Sequence, residues 1–384
     1  MKVVLFFLLT PLMLLSQNSI KGIVVDSDTK QPLEFVDVYT INQYTATNAD
    51  GKYEITTNKE TVSFNLIGYE QQTYFLKETT VADTVFLKST YYSLDEVVLF
   101  DEEFSLKNYM TIQGNYPFED YSEAFFLRIS LKRNDSIVKL QDINGIVSRK
   151  QLLANKKNPY PKKNVVVRVA NMRKAGHKEK NIRFNIWSFE ELLRAVSGIA
   201  MSAKHYNFEE QSSKEKDKTR LVFKANEAHK NPFTRGHYII NSSDNAIEKF
   251  YLIQDFKEGS FKPGRTIKYR TVFYEVTVNF KKNKSKNLYY MDKAKVNATV
   301  EVFEDENLVP IIYSAEYIWI GLNQVEAKIK RNVSSRKDIF KLQYPYNEVF
   351  WQQQKLLLPT AEMKKFIKSI KDASVKSDYI SNFN

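Results

Sequence analysis

The chain has 384 residues, 43% hydrophobic and 27% charged, which excludes a largely disordered protein and allows two folded domains of unequal size. Cysteine is absent, so disulfides, thiolate metal sites, Cys nucleophiles and the lipid-bearing Cys of a bacterial lipoprotein are all excluded. The net charge of +12 is uneven: Gln17 to Phe100 holds 6 Lys against 12 Asp and Glu, so with Lys2 set aside the rest of the chain carries +17.

Taken in order, the chain begins "MKVVLFFLLTPLMLLS", where Lys2 precedes an apolar run to Leu15 and small Ser16. The run is too short to span a bilayer and reads as a signal peptide over residues 1–16, so the protein is expected to be exported. From Ile20 to Leu87 follow short alternating stretches at regular spacing, among them "IKGIVVD", "TNADGKYEI", "TVSFNLIGY" and "DTVFLK", with turn residues between them. This spacing predicts a small β-sandwich over residues 17–90. Asp50-Gly51 is a tight-turn signal, because Gly accepts a positive φ without a steric penalty. It is a poor calcium loop: placing Asp50 and Gly51 at the fifth and sixth positions of an EF-hand puts Ala46 first and Thr57 last, neither of them a carboxylate.

The stretches "IKGIVVDSDTKQPLEFVDVY", "TATNADGKYEI", "FNLIGYE" and "VFLK" together resemble the carboxypeptidase regulatory-like domain, a transthyretin-like β-sandwich. The resemblance rests on Gly22, Asp26, Pro32, Asp50, Gly51, Gly68 and Tyr69, among other positions. It implies a seven-stranded sandwich without catalytic residues, in an exported protein of a Gram-negative envelope. Ser93 to Leu99, "SLDEVVL", is similar to the connector that follows this domain in TonB-dependent receptors. The residues after Phe100 are too few for the plug and the barrel of over twenty strands found there.

Residues 91–119 read as a linker and 120–384 as a larger, basic, antiparallel β-sheet domain with a few helices, so the protein is mainly β. "AFFLRISLK" and "DSIVKLQDINGIV" form a hairpin across Asn134-Asp135. Ser188 and Glu191 in "SFEELLRAV" make a capping box, and Met363, Phe366, Ile367 and Ile370 form one stripe of a C-terminal helix. The economical arrangement is one meander with the helices on one face. In "RTIKYRTVFYEVTVNF" simple alternation places Lys268 and Arg270 on the same face as Val272, Tyr274, Val276 and Val278, which weighs against a lipid-facing barrel strand.

Motifs for chemistry are missing. None of His177, His205, His229 and His237 has Glu three residues on, as a zinc carboxypeptidase requires. There is no Gly-x-Ser-x-Gly elbow and no phosphate-binding glycine loop. His205 with Glu209 and Glu210 is a loose metal-cluster candidate, set against the plainer reading of a strand His beside solvated acids. Lys-rich runs near Lys156, Arg173, Lys214 and Lys281 read either as solvated hairpin tips or as an electrostatic surface for envelope polyanions. The expectation is a non-catalytic binding or scaffolding protein of the periplasm or outer membrane, with no cofactor. Its partner would be an envelope protein, a glycan or a lipid surface, with peripheral membrane contact, and not a nucleic acid. The alternatives are a carrier of lipid or lipoprotein, whose hairpins "GHYIINSSDNAIEKFYL" generically resembles, and a metal-dependent hydrolase of envelope peptides or glycans.

Overall fold

Alternation and turn chemistry build the first part of the chain. A computed structural model describes residues 18–76, 81–90, 98–99, 114–154, 159–161, 164–178, 185–199, 201, 204–212, 217–229, 232–256, 261–263, 267–304, 309–326, 329–373 and 378–383. The expected signal peptide, most of the expected linker and parts of the Lys-rich runs near Lys156, Arg173 and Lys214 lie outside these residues. The chain divides into two units. One holds the described residues to Ser89 together with Gln354–Thr360; the other holds Thr90–Gln353 and the residues from Ala361 onward.

The first unit is a seven-stranded sandwich: β1 (Asn18–Asp26), β2 (Asp37–Tyr39), β3 (Tyr44–Ala46), β4 (Lys52–Thr57), β5 (Thr61–Asn65), β6 (Gln72–Phe75) and β7 (Thr84–Leu87). Strands β4-β1-β7 form one sheet and β3-β2-β5-β6 the other, with β1 and β7 parallel. In β4 the side chains alternate between exposed or half-buried and buried, which sends Tyr53 and Ile55 inward. They meet Val24, Val38, Val62, Phe64, Val85 and Leu87, contributed by both sheets, in one core.

An additional segment completes this unit from far along the chain. Leu357 bridges Ala46 in parallel, and the Ala46 amide donates to the Leu356 carbonyl at 2.9 Å. Thr45 Oγ1 donates to the Lys355 carbonyl at 2.6 Å, and Lys355 Nζ reaches Glu54 Oε1 at 2.6 Å. The exposed side of β3 is thereby paired, which covers an edge that would otherwise offer free backbone groups.

The second unit is one open antiparallel sheet of thirteen strands. They are β8 (Val98–Leu99), β9 (Tyr121–Arg133), β10 (Ser136–Arg149), β11 (Val165–His177), β12 (Tyr206–Ser212), β13 (Lys218–Ala225), β14 (Phe233–Asn241), β15 (Ala246–Asp255), β16 (Lys262–Pro263), β17 (Ile267–Asn283), β18 (Leu288–Glu304), β19 (Ile311–Gln324) and β20 (Tyr379–Ser381). The order is β20-β11-β10-β9-β19-β18-β17-β15-β14-β13-β12-β8, with β16 paired to β17. Two meanders are therefore joined where the last long strand, β19, returns to pair with β9. The turn between β9 and β10 is Asn134-Asp135, with φ of +45° and +64°, as the hairpin signal predicts.

Among the described residues three α-helices accompany the sheet: α1 (Phe189–Ser197), α2 (Glu348–Gln353) and α3 (Ala361–Lys371). Among the described residues no helix is long and apolar enough to cross a membrane. The capping box at the start of α1 is formed: Ser188 Oγ accepts from the Glu191 amide at 3.2 Å, and the Ser188 amide donates to Glu191 Oε2 at 2.7 Å. Phe189, Leu192, Leu193 and Val196 of α1 join Phe125, Leu127 and Ile129 of β9 in the main core. Met363, Phe366 and Ile370 of α3 pack instead with Ile137, Leu140 and Ala175.

Two expectations are corrected. The helices do not share one face, because the core of α1 takes the odd-numbered residues of β9, while α3 packs with Leu140, which pairs with Ser130 of the opposite parity. The end of the sheet at β9–β11 is thus covered on both sides. In β17, Thr271 pairs with Val300 and Phe273 with Thr299, so Val272 is an extra, bulged residue. The bulge shifts the alternation by one position. Ile267 and Tyr269 pack on the core with Tyr274 and Val276, and Lys268 and Arg270 fall on the opposite face, where Arg270 Nε donates to Glu301 at 2.7 Å.

Candidate functional site

The positions singled out in the first unit build its architecture. Gly51 has φ +72°, and a Cβ there would lie 2.5 Å from the Val24 carbonyl oxygen, so the turn demands glycine. Asn48 Oδ1 accepts from the amides of Asp50 at 3.0 Å and Lys52 at 2.9 Å, which holds that turn. Gly68 has φ +95° in the turn that delivers Tyr69. Asp26 Oδ1 accepts from the amides of Asp28 at 2.8 Å and Thr29 at 2.7 Å, and Oδ2 accepts from the Tyr69 hydroxyl at 2.9 Å. Burial pushes the Asp26 carboxyl up, but these donors outweigh it and its pKa lies below the ordinary value. Gly22 pairs with Tyr53 within the β1–β4 ladder, and Pro32 bridges Val25. These seven residues fasten loops to strands.

The histidines do not assemble a metal site. The rings of His205 and His229 lie 3.9 Å apart at their centroids and are tilted by 38°, and His229 Nδ1 lies 3.1 Å from Asn226 Oδ1. Glu209 Oε1 accepts from Gln211 at 3.0 Å. Among the described residues no three His, Cys, Asp or Glu side chains gather where a metal ion could be held.

A different constellation lies at the head of β9. Strand periodicity sends Tyr121, Glu123 and Phe125 to one face, and in the β9–β10 register Arg149 stands opposite Tyr121 and Val147 opposite Glu123. A Glu and an Arg are therefore delivered to the apolar side of the sheet. Both side chains are fully buried, with Arg149 Nη2 3.3 Å from Glu123 Oε1. The guanidinium also lies over the Trp319 ring at 5.4 Å, and Trp319 stacks on Phe125 at 4.4 Å.

Hydrogen bonding at this pair is incomplete. Among the described residues, Glu123 Oε1 and Oε2, Arg149 Nε, Nη1 and Nη2, Tyr121 Oη, Tyr160 Oη and Trp319 Nε1 are all buried without a hydrogen bond of good geometry, although Tyr121 makes a loose contact with Arg149 and Tyr160 one with Asn164. Burial pushes the Glu123 carboxyl up to about 7 against the pull of Arg149. Burial also raises the Tyr121 phenol well above its usual value, although Arg149 opposes it, so Tyr121 keeps its proton. Nearby opens a pocket of about 610 Å³, lined by Tyr116, Pro117, Phe118, Tyr121, Gln151, Leu288 and Tyr290, with Glu119, Asp120 and Lys286 also in its lining. Tyr121 belongs to both the pocket wall and the buried cluster.

The opposite face of the same strands carries a contrasting cluster. Asp142 of β10 pairs with Arg128 of β9 and Arg173 of β11 along one cross-strand row. Arg128 Nε donates to Asp142 Oδ1 at 2.8 Å and Nη2 donates to Oδ2 at 3.2 Å, while Arg173 donates to Oδ2. Burial raises the Asp142 carboxyl, but the two arginines outweigh it and its pKa lies below the ordinary value.

The architecture is that of a mainly β protein in which a small sandwich precedes a large open antiparallel sheet. Residues 20–99 match the family model of the CarboxypepD_reg-like domain, so the chain carries a carboxypeptidase regulatory-like domain, a non-catalytic kind of module. No curated protein matches the chain. A solved structure of lipovitellin, described by its lipid–protein interactions, is similar over 64% of this chain at 7% identity with a TM-score of 0.23. The chain spans only 29% of that lipovitellin chain, and a similarity at this level bears on neither fold nor ligand.

Tyr121, Glu123, Arg149, Tyr160 and Trp319 were not among the residues that motif reasoning selects. A signal exists in the alternation. In "YSEAFFLRI" Glu123 shares parity with Phe125 and Leu127, and in "INGIVSR" Arg149 shares parity with Ile143 and Val147. A charge in phase with a core-facing row is the mark of a buried polar site.

Proposed function

We propose that the protein is a non-catalytic binding protein of the cell envelope, exported by its N-terminal segment, and that it takes its ligand in the pocket at the head of β9. One observation carries this reading: eight buried polar atoms lacking good hydrogen bonds cluster around Glu123 and Arg149, beside an open pocket. Native interiors rarely leave such groups unsatisfied, and a functional site is one of the usual reasons when they do. Export is supported by the pattern from Met1 to Ser16, and a role at the envelope by the regulatory-like domain that follows it.

The pocket's polar members are Tyr, Gln, Lys and carboxylate side chains, with no Ser, Cys or His among them. The test has two parts. Fractionated cells should hold the protein outside the cytosol with Met1 to Ser16 removed, and cytosolic protein retaining Met1 would end the export reading. Purified protein should leave peptide and glycan substrates intact with or without a chelator, and metal-dependent hydrolysis would overturn the non-catalytic assignment.

A further inference from the structure

The buried atoms around Arg149 are mostly donors. Three guanidinium nitrogens, the indole N–H of Trp319 and the hydroxyls of Tyr121 and Tyr160 all lack a well-formed bond, against the two oxygens of Glu123. An ion pair built for stability would satisfy its donors, as the pair on the other face does. A surplus of donors around a buried guanidinium is suited to an incoming oxyanion, since charge-assisted bonds from Arg are strong and accept planar or tetrahedral oxygen groups.

We propose that the protein binds the oxyanion of a carboxylate or phosphate ligand at Arg149, with Tyr121, Tyr160 and Trp319 as further donors and the pocket beside Tyr121 as the way in. The inference rests on the binding reading above and names the ligand chemistry of that site. Tyr121 and Gln151, the latter two residues after Arg149, both line the pocket and connect it to the cluster. Without a ligand, ionised Glu123 balances the charge of Arg149 above about pH 7. When the anion arrives, Glu123 takes up a proton from solvent, so the buried charge count stays at one positive and one negative. The aromatic lining from Tyr116, Phe118 and Tyr290 leaves room for an apolar group attached to the anion.

The groups facing Glu123 are Arg149 of β10, Tyr121 of β9 and Tyr290 of β18; Tyr160 faces Arg149 in turn, and Arg194 and Glu190 of α1 act on Tyr160. Of these, Glu123 is the group that titrates near neutrality. Anion binding should therefore tighten as pH falls through about 7, where Glu123 becomes neutral.

The experiment is calorimetric titration of the full chain with acetate, inorganic phosphate, decanoate, decyl phosphate and decan-1-ol. Saturable binding of the anions with none of decan-1-ol supports the proposal. Binding of acetate or phosphate alone points to a free anion, and binding of only the tailed anions points to a lipid-like headgroup. Tyr121→Phe, which keeps the ring and removes one donor, should weaken anion binding about fivefold. Arg149→Gln should abolish saturable anion binding; if it does not fold, the isosteric Glu123→Gln replaces it as the decisive variant, with tighter binding expected at pH 8 and a flat pH profile. If decan-1-ol binds as tightly as decanoate, the anion assignment falls while the pocket survives. If none of the probes binds, both fall.

Discussion

Two buried ion clusters lie on opposite faces of β9 and β10, and they differ in every respect that separates structure from site. On one face Asp142 receives both arms of Arg128 and a third bond from Arg173, and its pKa is lowered despite burial. On the other, Glu123 and Arg149 approach only to 3.3 Å, none of their side-chain nitrogens or oxygens makes a good hydrogen bond, and burial raises Glu123 to about 7. Burial is equal, so the sign is decided by the charge of two arginines on Asp142, reinforced by their hydrogen bonds, against that of one arginine on Glu123. The Asp142 carboxylate is bonded through both oxygens and only Arg173 Nε is left over, so that cluster holds strands together, whereas the Glu123–Arg149 cluster beside a pocket keeps capacity for something else.

The largest effect that tests this contrast is expected from Asp142→Asn. It leaves Arg128 buried without a counter-charge and should cost about 3–5 kcal/mol, read as a fall in the thermal midpoint of the full chain. A loss below about 1 kcal/mol would remove the distinction between the two clusters. Glu123→Gln should move stability by no more than about 1 kcal/mol near pH 6, because the Glu123 carboxyl, raised to about 7, is already mostly protonated there and little counter-charge is lost.

The pH dependence of these variants sharpens the contrast, since the two carboxylates work in opposite directions. Glu123 has a raised pKa, so its contribution is present below the ordinary value of 4.5 and is lost as pH climbs through about 7. Asp142 has a lowered pKa, so its contribution is present above the ordinary value of 3.8 and disappears as pH drops through the folded-state value below that. Glu123→Gln should therefore gain on the parent chain as pH rises from 5 to 8, followed by denaturant titration. A constant difference across that range would show that Glu123 does not titrate there.

Local chemistry was legible in the sequence, and long-range geometry was not. The Asp50-Gly51 turn, the Asn134-Asp135 hairpin and the Ser188–Glu191 capping box each depend on residues close in the chain, so composition and spacing specify them. The return of Gln354–Thr360 to the sandwich depends on bonds from the Ala46 amide and the Thr45 hydroxyl to backbone carbonyls over three hundred residues away, and acceptance by a carbonyl leaves no trace in the identity of the accepting residue. In β17 a single bulged residue, Val272, reverses the parity of everything before it, which plain alternation cannot anticipate. The stripe on α3 was readable as apolar, but a stripe does not say which side of a sheet it covers. Glu123 and Arg149 were in phase with core residues, yet Arg128 of opposite parity two residues after Phe126 masks that signal by giving the same strand charges on both faces.

Anomalous diffraction from a crystal of the full chain soaked in selenate compares the two clusters directly. The account predicts a selenium peak within hydrogen-bonding distance of Arg149 and Tyr121 and none near Arg128 or Arg173. Absence of a peak at Arg149 in a crystal whose pocket is open to solvent, or equal peaks on both faces, would contradict it.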